Sequence, residues 1–231
     1  MLRYAFLAAL GLIATMGLLS AQTAPTQSPP AAAPPAAESA NSIEAMEDPQ
    51  TGDHWTYDVR DDLTGDVKST VTNTVTDVSD KEISVRVAVL GKPNFGYLTY
   101  DRLWNLTNNG IWRYTPNDGS GIRPPLAAGK TWSVRGSDLN STAGAGWKRS
   151  VTSKVVARES ITTRAGTFET FKIETSIELQ NAQDPTRKFQ EVLQTWYAPA
   201  IDHWVKRSSV QRSGGQVRNK DTTELVEYGR L

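Results

Sequence analysis

Past residue 47 the chain reads as alternation. In Phe171-Lys172-Ile173-Glu174-Thr175-Ser176-Ile177-Glu178-Leu179, apolar residues and Thr fall on one parity and charged or polar residues on the other. A period of two with one buried face is what a pleated sheet imposes. Ile83, Val85, Val87 and Val89 repeat the pattern, and residues 67–78 are dense in Val and Thr, whose branched Cβ suits an extended backbone. The same reading predicts strands over 55–61, 95–104, 111–114, 131–135, 147–158, 187–197, 204–212 and 222–228. Turn signals separate them: Leu63-Thr64-Gly65-Asp66, Ser79-Asp80-Lys81, Asn108-Asn109-Gly110, Ala165-Gly166, Asp184-Pro185 and Ser213-Gly214-Gly215. Asn109-Gly110 is the firmest hairpin cue, because both residues accept positive φ. Residues 116–128 and 137–146 read as loops. No segment carries an apolar period of 3.6. About ten strands joined by short turns imply an all-β domain with antiparallel pairing. A curved sheet, a barrel, a half-barrel and a sandwich all satisfy that pattern, and closure would reduce the number of exposed edges.

The first 47 residues follow different rules. Arg3 precedes residues 5–19, which are apolar except for Gly and one Thr, and Ser20-Ala21-Gln22 offers small side chains for cleavage. This is the three-part pattern of a secretory signal peptide, placed at 1–21. The apolar run is about 15 residues, or roughly 22 Å as a helix, against a hydrocarbon core of about 30 Å. Leu19 is a poor residue three positions before the cut, so an uncleaved anchor is the alternative. Residues 22–47 hold Pro25, Pro29, Pro30, Pro34 and Pro35 among Ala, Ser and Gln. Such a composition cannot offset its ordering entropy, and an extended tether is expected. Residues 48–231 then form one β-domain of a periplasmic or secreted protein, with no transmembrane span once the signal is removed.

Charge narrows the partners. The chain has 25 Lys+Arg and 25 Asp+Glu; setting aside Arg3 and Glu38, Glu44 and Glu47 leaves 24 and 22 for the domain. No basic or acidic block stands out, so no nucleic-acid partner is expected. There is no cysteine. Disulfides, thiolate catalysis, Cys-ligated zinc and a lipid-modified N-terminal cysteine are therefore excluded.

Several phrases in order resemble the TapB-like group of bacterial secreted β-proteins, itself loosely similar to the lipoprotein-carrier (LolA/LolB-type) superfamily. They are His54-Trp55-Thr56-Tyr57, Pro125-Leu126-Ala127-Ala128-Gly129-Lys130-Thr131-Trp132, Ala165-Gly166-Thr167-Phe168, Trp196-Tyr197-Ala198-Pro199, Val205-Lys206 and Glu224-Leu225-Val226-Glu227-Tyr228. The resemblance implies a curved antiparallel sheet in the cell envelope and carries no catalytic residue. Where that group often has Gly-Val-Gly after the proline, this chain has Ala200-Ile201-Asp202-His203-Trp204. Trp196 and Tyr197 are neighbours on a strand, so they should face opposite ways, with at most one in the core.

Candidate chemistry is sparse. The two histidines, His54 and His203, each follow Asp and precede Trp. With Asp53 and Asp202 they would make a divalent-metal site if their strands met; otherwise they are exposed turn histidines, and no metal or cofactor is assigned. No Gly-x-Ser-x-Gly elbow is present, and Glu174 and Glu178 share the polar parity. Seven Trp is a large complement for this length, and a curved sheet can hold an apolar ligand on its concave face. Trp104, Trp112, Trp132 and Trp196 are the candidate lining of such a site. The function read from the sequence is therefore non-catalytic binding of a lipid, another apolar ligand or an envelope protein. A structural interaction module is the alternative, and a hydrolase of unknown substrate comes third.

Overall fold

The computed structural model describes residues 46–230. The signal peptide and nearly all of the tether lie outside them. Twelve strands follow one another in chain order: β1 (His54–Asp61), β2 (Val67–Val78), β3 (Glu82–Val89), β4 (Phe95–Asp101), β5 (Leu106–Asn108), β6 (Trp112–Thr115), β7 (Thr131–Asn140), β8 (Gly146–Thr163), β9 (Gly166–Asn181), β10 (Lys188–Ala198), β11 (His203–Ser213) and β12 (Gln216–Gly229). Each pairs antiparallel with its neighbours in sequence, and β1 also pairs with β12 from His54↔Gly229 to Asp61↔Asp221, so the sheet closes into a barrel. Every strand then has two partners, and the ring has no terminal edge strand.

The pattern reading is corrected in several places, and β8, β9 and β12 all run longer than read, over Gly146–Thr163, Gly166–Asn181 and Gln216–Gly229. The predicted strand over 95–104 stops at Asp101, and Trp104 sits in the turn that follows with φ 59°. The short β5 was missed, because three residues are too few to show a period. Residues 137–140, read as loop, continue β7 alongside β8 through Ser137↔Lys148 and Leu139↔Gly146, leaving only a short turn.

Register sets the faces. Along β8, Trp147, Val151, Ser153 and Val155 are buried while Lys148, Ser150, Thr152 and Lys154 are exposed. They pair with Asn181, Ile177, Thr175 and Ile173 of β9, all buried, and the inward set continues through Leu193, Thr195 and Tyr197 of β10. A bulge after Val155 interrupts this run. Beyond it the β8–β9 hairpin reaches across its neighbours: Arg164 at the tip pairs with Asp58 of β1 at 3.1 Å, and Phe168 packs against Tyr228 of β12 with ring centres 5.7 Å apart. Trp196 is therefore buried as well as Tyr197, which corrects the expectation that one of the two would be exposed. They do belong to different clusters, Trp196 with Phe168 and Tyr197 with Trp132, Val155 and Ile173.

The segment 116–130 between β6 and β7 is pinned to the barrel. Ile122 N–H donates to Leu103 O at 2.7 Å, and Lys130 Nζ donates to the carbonyls of Arg123 and Pro125. Gly121 permits this approach, since a Cβ there would lie 2.3 Å from Leu103 O. Ile122 is thereby placed against Trp132 and Tyr197.

Candidate ligand site on the inward face

An aromatic plug occupies the barrel around the starts of β1 and β11. His203 stacks on Trp104 at 4.6 Å and 16°, and meets the Trp55 and Trp204 rings edge-on at 4.2 and 3.7 Å. Tyr100 adds an edge contact to Trp104 at 5.4 Å, and Tyr57 Oη donates to the Trp204 carbonyl at 2.9 Å. His203 is 2% exposed, which corrects the reading of both histidines as exposed. The reason is sequence-remote: Trp55 and Trp104, from distant parts of the chain, close on it beside its neighbour Trp204. Burial pushes its pKa well below the usual imidazole value, with the nearby Arg207 charge acting in the same direction. His54 instead lies near the Gly52 carbonyl, and Asp53 is gripped by Arg230 through two nitrogens at 2.8 and 3.0 Å. Among the described residues no group of three or more His, Asp or Glu is placed to hold a metal ion.

Asp202 anchors this plug from the turn after β10. Pro199–Ile201 form a short 3-10 turn, and Asp202 takes the left-handed conformation, φ 43°, that glycine would otherwise supply. Its carboxylate accepts from Tyr197 Oη at 2.6 Å and Trp104 Nε1 at 3.0 Å. The glycine-free turn is thus held by its own side chain.

The inward side chains of β6–β10 build a second, open feature. A cavity of about 390 Å³ is lined by Trp112, Tyr114, Asp138, Trp147, Arg149, Leu179, Arg187 and Phe189. The register places these residues on one face: Tyr114↔Asp138, Asp138↔Trp147, Arg149↔Leu179 and Leu179↔Phe189. Trp147 and Phe189 pack with ring centres 5.2 Å apart, and Phe189 stays 39% exposed at the rim. Arg149 grips Asp138 through Nε at 2.9 Å and Nη2 at 2.5 Å and lies over the Tyr114 ring at 5.3 Å. Arg187 covers Trp147 at 5.7 Å. Tyr114 is pushed up to about 12, chiefly by burial, so its phenol stays neutral. The walls are apolar and aromatic, and the buried charge is paired, which is the balance a small-molecule pocket usually shows.

The four candidate tryptophans do not line one site, although Trp104 and Trp196 belong to the same packed cluster. Trp112 lines the cavity. Trp104 is part of the plug, and Trp132 packs with Ile122, Val155, Ile173 and Tyr197. Trp196 donates to Glu159 Oε1 at 2.5 Å, with Lys172 and Lys206 over its ring at 4.8 and 5.7 Å. The sequence reading missed Tyr114, Trp147, Leu179, Phe189 and the Arg149–Asp138 pair. The signal that finds four of them is their shared parity with the buried positions of β8–β10.

A family described as DUF3108-like matches residues 145–217, the stretch from β8 to the start of β12 that supplies Trp147, Arg149, Leu179 and Phe189. No curated protein matches the chain. Among solved structures, a candidate lipoprotein of Parabacteroides distasonis aligns with a TM-score of 0.55 at 14% identity, over 80% of this chain and 99% of its own. A candidate exported protein with YmcC-like fold from Bacteroides fragilis aligns at 0.51 and 14%, over 81% and 100%. The hypothetical lipoprotein YmcC of Escherichia coli aligns at 0.45 and 10%, over 79% and 87%. The TapB-like and lipoprotein-carrier groups are not among these findings. The chain is similar in fold to the first two proteins, and its residues 145–217 are similar to the family described as DUF3108-like.

Proposed function

We propose that this protein is an exported, non-catalytic domain of the cell envelope that holds an apolar ligand against the inward face of its barrel. The observation that carries this reading is the cavity of about 390 Å³ walled by Trp112, Tyr114, Trp147, Leu179 and Phe189. Its buried charges engage each other rather than standing free, as the two-point grip of Arg149 on Asp138 shows. Apolar burial, not bond-making, is what such walls do. The signal-peptide pattern of residues 1–21 supports export. So does the company of the fold, since the P. distasonis and B. fragilis proteins are named as a candidate lipoprotein and a candidate exported protein. Periplasm and secretion are both consistent with it. The edge-pairing form of the interaction-module alternative loses its template, because the ring of strands is closed.

A series of straight-chain alcohols tests the proposal through Trp fluorescence. Each buried methylene contributes about 0.8 kcal/mol, so affinity should rise roughly threefold to fourfold per carbon until the cavity is filled. Saturable binding with that slope, weakened in Trp112→Ala, is the expected result. No saturable change, or an affinity indifferent to chain length, would overturn the reading.

A further inference from the structure

Arg207 of β11 faces the inside of the barrel directly opposite Thr195 of β10, its register partner. Its guanidinium lies over the Trp204 ring at 3.5 Å, on the cavity side of the aromatic plug. Its Nε and Nη2 are both sealed from solvent without a hydrogen-bond partner, and so is the Thr195 hydroxyl. Arg207 forms no ion pair among the described residues. The carboxylates that act on it electrostatically include Asp118 and Glu191. Both have other donors: Asp118 accepts from the Ser120 hydroxyl at 2.6 Å and from Leu106 N–H at 2.9 Å, and Glu191 accepts from the Ser209 hydroxyl at 2.6 Å.

A buried charge without a partner is costly, and proteins retain one where something else completes it. The free edge has a definite chemistry. Nε and Nη2 are the two nitrogens with which Arg149 grips Asp138, and the same two of Arg230 grip Asp53. That fork matches the two oxygens of a carboxylate or phosphate. From the rim residue Phe189, the inward positions of β10 run through Glu191 and Leu193 to Thr195. Six residues at ~3.3 Å each separate Phe189 from Thr195, so the path of a ligand joining the two would run about 20 Å along β10, past the buried Leu193.

We propose that the ligand is an anionic amphiphile: its carboxylate or phosphate head pairs with the Nε/Nη2 edge of Arg207 and the Thr195 hydroxyl, and its apolar tail extends toward Trp112, Trp147 and Phe189. This rests on the apolar-ligand reading above and adds the charge and the direction of the molecule. Glu191 flanks the path and repels the head, so it limits affinity.

The test compares hexadecanoate, whose extended length matches that separation, with hexadecanol on the intact protein by calorimetry, both delivered from cyclodextrin. The head should make hexadecanoate bind about tenfold or more tightly than hexadecanol. Arg207→Met keeps the bulk and removes the charge, and it should erase that preference while leaving hexadecanol affinity unchanged. Replacing an unpaired buried charge by a hydrophobe does not require a loss of stability. If Arg207→Met nonetheless fails to fold, Glu191→Gln serves: it should tighten hexadecanoate and leave hexadecanol as it was. Acetate and inorganic phosphate, presented alone, should bind at least a hundredfold more weakly than hexadecanoate. Equal affinity for hexadecanoate and hexadecanol in the wild-type protein overturns the anionic head and leaves the apolar cavity standing. Acetate or phosphate binding as tightly as hexadecanoate overturns the amphiphile in favour of a free anion.

Discussion

The indole N–H of Trp104 donates to the carboxylate of Asp202 at 3.0 Å, and both residues are held at positive φ, 59° and 43°. They are the two non-glycine residues in that conformation among the described residues. A left-handed backbone costs an ordinary side chain roughly 1–2 kcal/mol. Here one bond joins two strained turns from opposite sides of the ring of strands, and Tyr197 Oη adds a second donor at 2.6 Å.

Asp202→Ala should therefore destabilise the protein by about 3 kcal/mol, since two buried donors lose their acceptor and the left-handed position gains an unsuited side chain. Asp202→Asn tolerates that conformation and keeps a carbonyl acceptor, so it should cost less than half as much. Urea melts of both variants measure the difference. Equal losses would show that the carboxylate charge, not turn geometry, is what matters.

His203 makes the fold acid-sensitive. Its folded pKa lies well below the usual value, chiefly through burial, so the unfolded chain binds a proton first as pH falls. The stability of the neutral ring is complete above the unfolded value of about 6.5 and declines below it, by up to ~1.4 kcal/mol per pH unit, until the folded pKa is reached. Thermal melts between pH 7.5 and 4.5 should show this slope, and His203→Gln should flatten that part of the curve. An unchanged slope in the variant would place the acid sensitivity elsewhere.

The Arg149–Asp138 pair is nearly sealed, with side chains 9% and 4% exposed. Asp138→Ala leaves a buried guanidinium unmatched and should cost about 3–5 kcal/mol. Replacing both partners, as in Arg149→Met with Asp138→Leu, should recover most of that loss. A double-mutant cycle with no coupling would contradict the pairing.

Rim and plug aromatic residues should behave differently. Phe189→Ala and Trp112→Ala remove partly exposed side chains and should cost about 1 kcal/mol or less, while Trp55→Ala, in the packed plug, should cost about 3–5 kcal/mol. Chemical denaturation distinguishes the two classes directly.

The alternation that marks β3, β8 and β9 was legible because each face of those strands has one environment. Closure was not, since it depends on β1 meeting β12 across nearly the whole chain, and no local pattern records that meeting. The site suffered from the same gap. Aromatic bulk flagged Trp104, Trp112, Trp132 and Trp196 alike, but register sends them to a plug, a cavity, a second cluster and a buried place beneath a hairpin. The Asp-His-Trp repeats at 53–55 and 202–204 show how little a motif fixes. Both tryptophans enter the plug, yet only His203 follows them inside. Likewise, Ala200-Ile201-Asp202 looked like a turn lacking its glycine, and only the contacts of the Asp202 side chain explain why none is needed.

The most direct test of the account is a decanol titration followed by the indole N–H resonances of the seven tryptophans. Ligand in the inward cavity should shift Trp112 and Trp147 saturably while Trp132 and Trp196 hold their positions. Saturable shifts confined to Trp132 or Trp196, or none at any indole, would contradict it.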